Sequence, residues 1–460
     1  MLAPPDLPSP TPLRRILAGI RFKLRELGIL QACALALTLA AISLGRLVAP
    51  GGKPREIREA RLLARVLGWL RGPFAKLAQF ASLRVDLLAE PARRELARLR
   101  DDLPPLPFAQ VARLLEAELG APLAERFAAI DPQPLGAASI AQVHRARLPD
   151  QTEVAVKVQY PWLRSSLPAD LRVLRRTLRR LGPGGGAPAD TLFAEFSRGL
   201  QEELDFEREA RVAAEIAANL AGEERVVVPR VVGSHSTRRV LTVELHPTLP
   251  LQRRLLESRG ICAGEVLEIV ARAYARQIFL DGLFHADPHP GNLFVIDEPG
   301  APSRPRVLFV DFGLSKRLPD PLRRELRRGI YALLQADAEA LLAGMERLGL
   351  VAPDAREPVQ AAVAAMFQRI RGEERELLGL GPARILALKD EAKRLLFETP
   401  GLRLPPELLL YAKTWSYLFA MGQELAPEVD LMKLCVPYLL RFLAEREAAP
   451  AAAGAGPGGG

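Results

Sequence analysis

Two short segments of the sequence carry residues suited to phosphate and metal chemistry. The first is HADPHPGN at 285–292, in which Asp287 and Asn292 stand five residues apart. The second is DFG at 311–313, which follows a short apolar stretch. Asp and Asn side chains supply the oxygen ligands that Mg²⁺ prefers, and phosphoryl transfer needs one more carboxylate to orient the acceptor hydroxyl. The spacing therefore predicts Asn292 and Asp311 as metal ligands and Asp287 as the acid/base residue.

A lysine upstream of these segments fits the same chemistry. Lys157 ends the run VAVK, a strand pattern that kinase-type sites use to hold the α and β phosphates and to pair with a helix Glu. The alternative is a surface lysine on an edge strand, which the flanking Val156 and Val158 disfavour. The segment EELDFEREA offers several carboxylates as partners: Glu203, Asp205, Glu207 and Glu209. We favour Glu209, with Glu203 as the alternative, and a solvated acidic face accounts for the others.

A zinc cluster is the competing interpretation of the first segment. His285, Asp287 and His289 stand at alternate positions, as metal ligands could. The intervening Pro288 and Pro290 and the DFG downstream favour the phosphate interpretation. The sequence also contains no G-x-S-x-G and no Cys/His nucleophile arrangement.

Composition excludes several other classes of protein. The 460 residues carry a net charge of +9, but basic residues are spread along the chain and no nucleic-acid-binding signature accompanies them. Gly51-Gly52-Lys53 is followed by proline, so it is no Walker A motif. The three cysteines are far apart, which predicts a reducing compartment and neither a disulfide framework nor structural zinc.

Hydrophobic periodicity predicts the elements that position these residues. VHRARL at 143–148 and EVAVKVQ at 153–159 alternate like the two strands of a hairpin that carries Lys157. Strands are also predicted at 224–233 and 238–245. Helical periodicity is predicted over 54–100, 107–128, 168–181, 190–220 and 262–281, and over the chain after Pro319.

The predicted domain organisation has five parts. They are a disordered start at 1–52 with a candidate membrane helix at 27–45, a helical extension at 53–130, a small lobe at 131–246, a helical lobe at 247–447 and a disordered tail at 448–460. The stretch 27–45 has no charged residue and is long enough for a membrane span. The polar residues Gln31, Thr38 and Ser43 interrupt it. A membrane-associated helix and a buried helix both remain open.

The glycine-rich loop and the activation segment of conventional kinases are missing. Before VHRA, where G-x-G-x-x-G would stand, the sequence has the small residues Gly136, Ala137, Ala138 and Ser139. Small residues let a backbone approach phosphate, and the Ser139 hydroxyl adds a donor. Helical sequence resumes within about ten residues of DFG, with no A-P-E. A conventional protein kinase is therefore disfavoured.

Together these segments resemble the UbiB family of atypical kinase-like proteins. The similarity runs from about Arg55 to Leu443. Besides HADPHPGN and DFG, it rests on KLAQFASLRVDLL (76–88), GAASIAQVH (136–144), VAVKVQYP (154–161) and EELDFEREA (202–210). The resemblance implies an α+β, protein-kinase-like two-lobed fold with a small β-sheet N-lobe, a helical C-lobe and an N-terminal helical extension.

The resemblance also implies a regulatory set. Lys76 and Gln79 share one helix face, because they are three residues apart, and would lie over the active site near Glu203 and Asp205. The alternative is a surface Lys and Gln beside an apolar stripe. Glu244, at the end of a predicted strand, is a further nucleotide-binding candidate. Two positions depart from the family pattern: Ala78 replaces the usual Gly of KxGQ, and Gly136 replaces the usual Ala of the loop.

The function implied is an atypical kinase or ATPase that binds ATP or ADP with Mg²⁺ and acts on small or lipid-like substrates. It would support ubiquinone (coenzyme Q) or related isoprenoid-lipid biosynthesis. The expected partners are a membrane lipid or isoprenoid quinone precursor and quinone-biosynthesis enzymes, with no nucleic acid. The expected location is the cytoplasmic side of a bacterial inner membrane, peripheral or anchored by one N-terminal helix. The alternative is a nucleotide-gated lipid-binding scaffold with little turnover.

Overall fold

A computed structural model describes residues 28–48, 53–83, 90–97, 105–181, 186–297, 304–335, 337–372, 395, 399, 401–402 and 405–445. The predicted disorder at the start and at 448–460, and residues 84–88 of the KLAQ segment, lie outside these residues. The chain forms two compact units. Unit 1 comprises Met1–Arg211 and Arg230–Leu245, and unit 2 comprises Val212–Pro229 and His246–Gly460.

Helices and short strands alternate along the described chain. The helices are α1 Ile29–Val48, α2 Lys53–Leu70, α3 Pro73–Leu83, α4 Glu90–Ala97, α5 Phe108–Leu119, α6 Leu123–Arg126, α7 Leu163–Leu181, α8 Gly186–Glu203, α9 Phe206–Asn219, α10 Arg253–Ser258, α11 Ala263–Ala275, α12 Asp320–Leu334, α13 Ala338–Arg347, α14 Arg356–Gly372, α15 Pro406–Leu425 and α16 Leu431–Ala444. The strands are β1 Ala129–Ala137, β2 Ala141–Arg147, β3 Glu153–Gln159, β4 Val226–Val227, β5 Val240–Glu244, β6 Thr248–Pro250, β7 Leu283–Phe284, β8 Leu293–Ile296, β9 Val307–Phe309 and β10 Lys316–Arg317.

Unit 1 is built around a four-stranded antiparallel sheet in the order β1-β2-β3-β5. Val154, Val156 and Val158 of β3 are buried in the core beneath one face of this sheet. Because side chains alternate along a strand, Lys157 lies on the opposite face. The predicted hairpin is confirmed, and its alternation explains why an ionisable residue can sit in so apolar a strand.

Two of the predicted elements differ from those of the structure, and one strand was not predicted. The predicted helix at 190–220 is interrupted at Leu204 and Asp205, so that α8 ends and α9 begins there. The strand predicted at 224–233 is reduced to β4, which pairs in parallel with β9 of unit 2. Strand β1 was not predicted because Pro132 and Pro134 argue against a strand. The strand forms nevertheless, because it lies at the edge of the sheet, where proline is tolerated.

Unit 2 combines a second four-stranded sheet, in the order β4-β9-β8-β6, with the helices from α10 onward. Helix α11 is almost entirely buried, which explains its largely apolar sequence. It continues into a widened π-helical turn at Arg276–Asp281, and Gly282 ends this turn in the left-handed conformation, with φ of 64°. Only glycine adopts that conformation without strain.

Helix α1 contains most of the candidate membrane helix 27–45, and one of its faces is buried against the protein. Gln31, Leu35 and Thr38 face the protein and are buried, and the Gln31 amide donates a 2.7 Å hydrogen bond to the buried Asp170 carboxylate. Among the described residues, no helix has both the length and the apolar character needed to cross a membrane.

Candidate functional site

A β-hairpin in unit 2 brings the two predicted metal ligands together. Asn292 immediately precedes β8, and Asp311 follows β9 after one intervening residue. The two strands are antiparallel, so the start of one lies beside the end of the other, and the Val310 N–H donates to the Asn292 carbonyl at 3.0 Å. Asn292 and Asp311, 19 residues apart in the sequence, therefore meet at one edge of the sheet.

The Asp287 carboxylate is held on both oxygens. The Lys413 ammonium, from α15, donates to Oδ1 at 2.9 Å, and the Asn292 side-chain amide donates to Oδ2 at 3.2 Å. The Asn292 amide also donates to the Asp287 backbone carbonyl at 3.1 Å. Its nitrogen is therefore engaged with the loop, which leaves the amide oxygen as the end suited to a cation.

A buried histidine ties this loop to the DFG segment. His285 Nε2 lies 3.0 Å from the Val310 carbonyl and 2.9 Å from the Asp311 carbonyl, so it must carry the hydrogen. Nδ1 then accepts from the Tyr274 hydroxyl at 2.9 Å. Burial lowers the pKa of His285 and raises that of Tyr274, which favours the neutral forms of both. The contact fixes Asp311, whose φ of 61° is unusual for a residue other than glycine.

These contacts overturn the zinc interpretation. Both ring nitrogens of His285 are used by protein groups, and Nδ1 of His289 accepts from the Gly291 N–H. Within the described parts of the chain, no three His, Cys, Asp or Glu side chains form a group that could hold a metal ion. Mg²⁺ remains compatible with the loop, because it keeps several waters and needs one or two carboxylates.

In unit 1, Lys157 pairs with Glu209. The ammonium lies 2.9 and 3.0 Å from the two carboxylate oxygens and 5.1 Å from the centre of the Phe206 ring. The Glu209 side chain is only 3% exposed, so this is a nearly buried ion pair. Breaking such a pair by removing one partner typically costs about 3–5 kcal/mol. Glu207, by contrast, is exposed.

Glu203, the alternative partner of Lys157, pairs with Lys76 instead, at 3.2 Å. The break between α8 and α9 explains this division. On one continuous α-helix, residues six apart would point about 120° away from each other. Asp205, expected beside Lys76, caps α9 by accepting from the Arg208 N–H at 3.0 Å.

Two further candidates on unit 1, Gln79 and Glu244, are half-buried. Gln79 is half-buried on α3, on the side of the helix that carries Lys76. Glu244 ends β5, and its carboxylate pairs with Arg230 at 2.7 Å. Ala78, which stands where the family pattern has glycine, is fully buried within α3, so its methyl group packs in the core.

The Ala-rich segment forms the turn between β1 and β2. Gly136 and Ala137 end β1, and Ala138 and Ser139 make the turn. The Ala138 carbonyl accepts from the Tyr160 hydroxyl at 2.7 Å, and the Ser139 carbonyl accepts from the Gly72 N–H at 3.1 Å. The second bond links this turn to the start of α3.

Ser139 provides the test of whether the turn suits a phosphate. Its side chain is 1% exposed, and within the described residues its hydroxyl has no hydrogen-bond partner. A buried hydroxyl without a partner is costly and calls for an acceptor. A phosphate oxygen is such an acceptor, so the turn fits a nucleotide. In unit 2, the two carboxylates and the amide of the 285–313 region fit Mg²⁺.

Two residues of this region were missed at the level of sequence. Lys413 lies 126 residues after Asp287, in a helix with no distinguishing motif. Tyr274 lies on the buried α11, where an aromatic residue is expected in any core. The one available signal was a lone lysine in the otherwise apolar and aromatic stretch LLLYAKTWSYLF.

Comparisons with known proteins identify the family of this chain. The ABC1 atypical kinase-like domain matches residues 98–345, more than half of the chain. An uncharacterized protein of Synechocystis is 30% identical over 85% of this chain and 66% of its own length. Protein ACTIVITY OF BC1 COMPLEX KINASE 8, chloroplastic, of Arabidopsis thaliana is 30% identical over 86% of this chain and 56% of its own.

A third relative links the chain to the UbiB proteins. Probable protein kinase UbiB of Marinobacter nauticus is 29% identical over 82% of this chain and 68% of its own length. The chain thus spans about half to two thirds of the lengths of these relatives. The matched domain, the mixed α+β architecture and the relatives lead to one conclusion: the chain belongs to the ABC1 family of atypical kinase-like proteins, of UbiB type.

Proposed function

We propose that this protein binds ATP or ADP with Mg²⁺ and hydrolyses ATP or transfers its terminal phosphoryl group to a small or lipid-like acceptor. The observation that carries the proposal is the arrangement of Asp287, Asn292 and Asp311 around one hairpin of unit 2. A protein that had lost its chemistry would have no need for an acid/base carboxylate in addition to two metal ligands.

In unit 2, Asn292 and Asp311 would hold Mg²⁺, which neutralises charge on phosphate oxygens when it is bound. Asp287 would orient the acceptor hydroxyl or a water and accept its proton. Lys413 positions Asp287, because it fixes one carboxylate oxygen and balances its charge. His285 holds the backbone of Asp311.

In unit 1, Lys157 would contact the α and β phosphates, with Glu209 fixing the position of the lysine. Gly136, Ala137 and Ala138 would allow close backbone approach, and the Ser139 hydroxyl would donate to a phosphate oxygen. Glu244, the last residue of β5, would contribute to nucleotide binding.

Lys76, Gln79, Glu203 and Asp205 form the proposed regulatory set. The Lys76–Glu203 ion pair and the Gly72–Ser139 hydrogen bond attach α3 to the proposed nucleotide-binding elements of unit 1. This helix would restrict peptide substrates, which agrees with the missing activation segment.

The main test is Mg²⁺-dependent ATP hydrolysis by the wild type and by Asp311→Asn. Removing one carboxylate charge from the metal site should lower turnover at least about 100-fold, by analogy with the loss of a principal electrostatic group. The assay should be run with and without anionic-lipid vesicles. Wild-type turnover equal to that of Asp311→Asn would refute the enzymatic proposal.

The second candidate is a nucleotide-gated lipid-binding scaffold. It would be favoured if the wild type bound nucleotide, changed its affinity for vesicles and showed no turnover above that of Asp311→Asn. In either case, the relation to UbiB supports a role in ubiquinone or related isoprenoid-lipid biosynthesis. The partners would be quinone precursors and quinone-biosynthesis enzymes.

A peripheral association with the membrane is supported by the outer face of α1. The buried face carries Gln31 and Thr38, whereas Ile29 is 46% and Leu37 is 73% exposed. A helix that leaves large apolar side chains exposed on its outer face fits contact with a lipid surface. We therefore propose a peripheral association with a membrane through α1, at the cytoplasmic side of a bacterial inner membrane as the resemblance to the UbiB family implies.

Leu37→Glu tests this placement. A carboxylate at this exposed apolar position of α1 should reduce pelleting with anionic-lipid vesicles several-fold, because it opposes burial in lipid and repels the negative surface. Leu334→Glu is the matched control, since Leu334 is 59% exposed but lies on α12. Equal pelleting of the two variants would exclude α1 as the contact.

A further inference from the structure

Unit 2 contains a basic pocket that the proposed phosphoryl-transfer site does not use. Its volume is about 410 Å³, within the range of small-molecule sites. Its polar lining comes from four segments: the loop after α9, the end of α11, the π-helical turn and α16. The polar residues are Glu223, Arg272, Arg276, Asp281, Tyr438 and Arg441.

The π-helical turn makes this pocket. Arg276 and Asp281, its first and last residues, are five positions apart and lie 3.8 Å from each other. In a regular α-helix, residues five apart would point about 140° away from each other. The wider turn therefore directs both side chains into one cavity. Such turns occur frequently at functional sites.

The ion pairs in the pocket are open. Arg276 lies 3.5 Å from Glu223 and 3.8 Å from Asp281, beyond the usual 2.7–2.9 Å of a charge-assisted hydrogen bond. Elsewhere in the same unit the Arg347–Glu325 pair closes to 2.7 Å. Within the described residues, Arg276 Nε has no hydrogen-bond partner. Nε is itself buried, so the donors kept for a ligand are those of the terminal guanidinium nitrogens, whose contact with Glu223 is long at 3.5 Å.

Two further arginines have donors to offer. Arg441 is exposed, and no side chain of the described residues pairs with its guanidinium. Arg272 lies beside the Tyr438 hydroxyl and is 3.7 Å from Glu268. Three guanidinium groups face two carboxylates here, and burial raises the pKa of Asp281 to about 6. The lining of the cavity therefore carries one more guanidinium group than carboxylates, and Glu268, beside Arg272, lies outside that lining.

We propose that this pocket binds the phosphate group of a small molecule, held by Arg272, Arg276 and Arg441, as a site separate from the nucleotide site. Planar guanidinium groups match the oxygens of phosphate in two-pronged hydrogen bonds. Leu280 and Pro437 provide an apolar wall for the rest of the molecule. The cavity is larger than a lone phosphate requires, which favours a phosphorylated organic compound.

The test is calorimetric titration of the full chain with inorganic pyrophosphate and, in a second arm, with dihexanoyl phosphatidic acid as the lipid-derived source. Arg441→Gln should weaken binding about tenfold or more, the effect of losing a hydrogen bond from a charged group. Because Arg441 has no protein partner to lose, this variant should keep its fold. Arg276→Gln should show the same direction of effect.

Arg254→Gln is the matched control, since Arg254 is an exposed arginine of unit 2 outside the pocket. It should change the affinity less than twofold. Tighter binding of one ligand identifies the source of the phosphate group.

Lys157→Met separates this site from the proposed nucleotide site. Binding that survives in Lys157→Met but is weakened in Arg441→Gln supports the pocket, whether or not the protein turns over ATP. The proposal would be overturned if neither ligand bound saturably. Equal affinity of Arg441→Gln and Arg254→Gln, or loss of binding in Lys157→Met alone, would also overturn it.

Discussion

Lys413→Met should lower kcat for ATP hydrolysis about 100-fold and leave KM for ATP nearly unchanged, within the range of acid/base effects. The Lys413 ammonium lies 2.9 Å from Asp287 Oδ1, and both side chains are mostly buried, at 17% and 23% exposure. Without the Lys413 ammonium, the Asp287 carboxylate keeps only the hydrogen bond from the Asn292 side chain. Its negative charge is then unbalanced and would repel the phosphates. Steady-state kinetics over a range of ATP concentrations measure both constants.

Two control variants separate positioning from stability. Lys413→Arg keeps the charge and should recover part of kcat. Lys433→Met removes an exposed lysine of α16, whose ion pair with Asp430 is 3.7 Å long, and should leave kcat unchanged. A wild-type kcat in Lys413→Met, or an equal loss in Lys433→Met, would show that Lys413 does not act through Asp287.

Gly72→Ala should destabilise unit 1 by about 3 kcal/mol, the sum of left-handed backbone strain and overpacking. Gly72 has a φ of 54°, and a Cβ there would lie 2.8 Å from the buried Trp162 ring. Trp162 stacks on Tyr160, whose hydroxyl holds the Ala-rich turn. The affinity for nucleotide should therefore fall together with stability. Urea unfolding followed by tryptophan fluorescence measures the first effect, and calorimetry with ADP measures the second.

Gly120→Ala is the matched control for this substitution. Gly120 has a φ of 68°, but no atom lies within 4 Å of its Cβ position. It should cost about 1 kcal/mol, the strain alone, and leave nucleotide affinity unchanged. Equal destabilisation by the two substitutions would mean that the contact with Trp162 contributes nothing.

The local arrangement of the candidate site residues was predictable from the sequence. The five-residue spacing of Asp287 and Asn292 is set by one loop, and the position of Lys157 follows from alternation along one strand. Such features depend on residues that are close in the chain, so periodicity and motif spacing report them directly. The resemblance to the UbiB family extended that prediction to the fold, which the matched domain confirms.

The choice among partners was decided by tertiary structure. Sequence left Glu203 and Glu209 as alternatives for Lys157. The interruption at Leu204 and Asp205 turns Glu209 to Lys157 and Glu203 to Lys76. An interruption stabilised by a single capping carboxylate is a weak signal against strong helical periodicity on both sides.

Contacts distant in sequence were beyond prediction for the same reason. Lys413 reaches Asp287 across 126 residues, and a lone lysine in a largely apolar helix does not indicate which carboxylate it will meet. The widened turn at Arg276–Asp281 has the sequence of an ordinary helix, yet it directs two charged side chains into one pocket. The sequence by itself determined which residues can carry phosphate chemistry. Packing between distant segments decided which charges meet, because that choice depends on the balance of many contacts that no single segment contains.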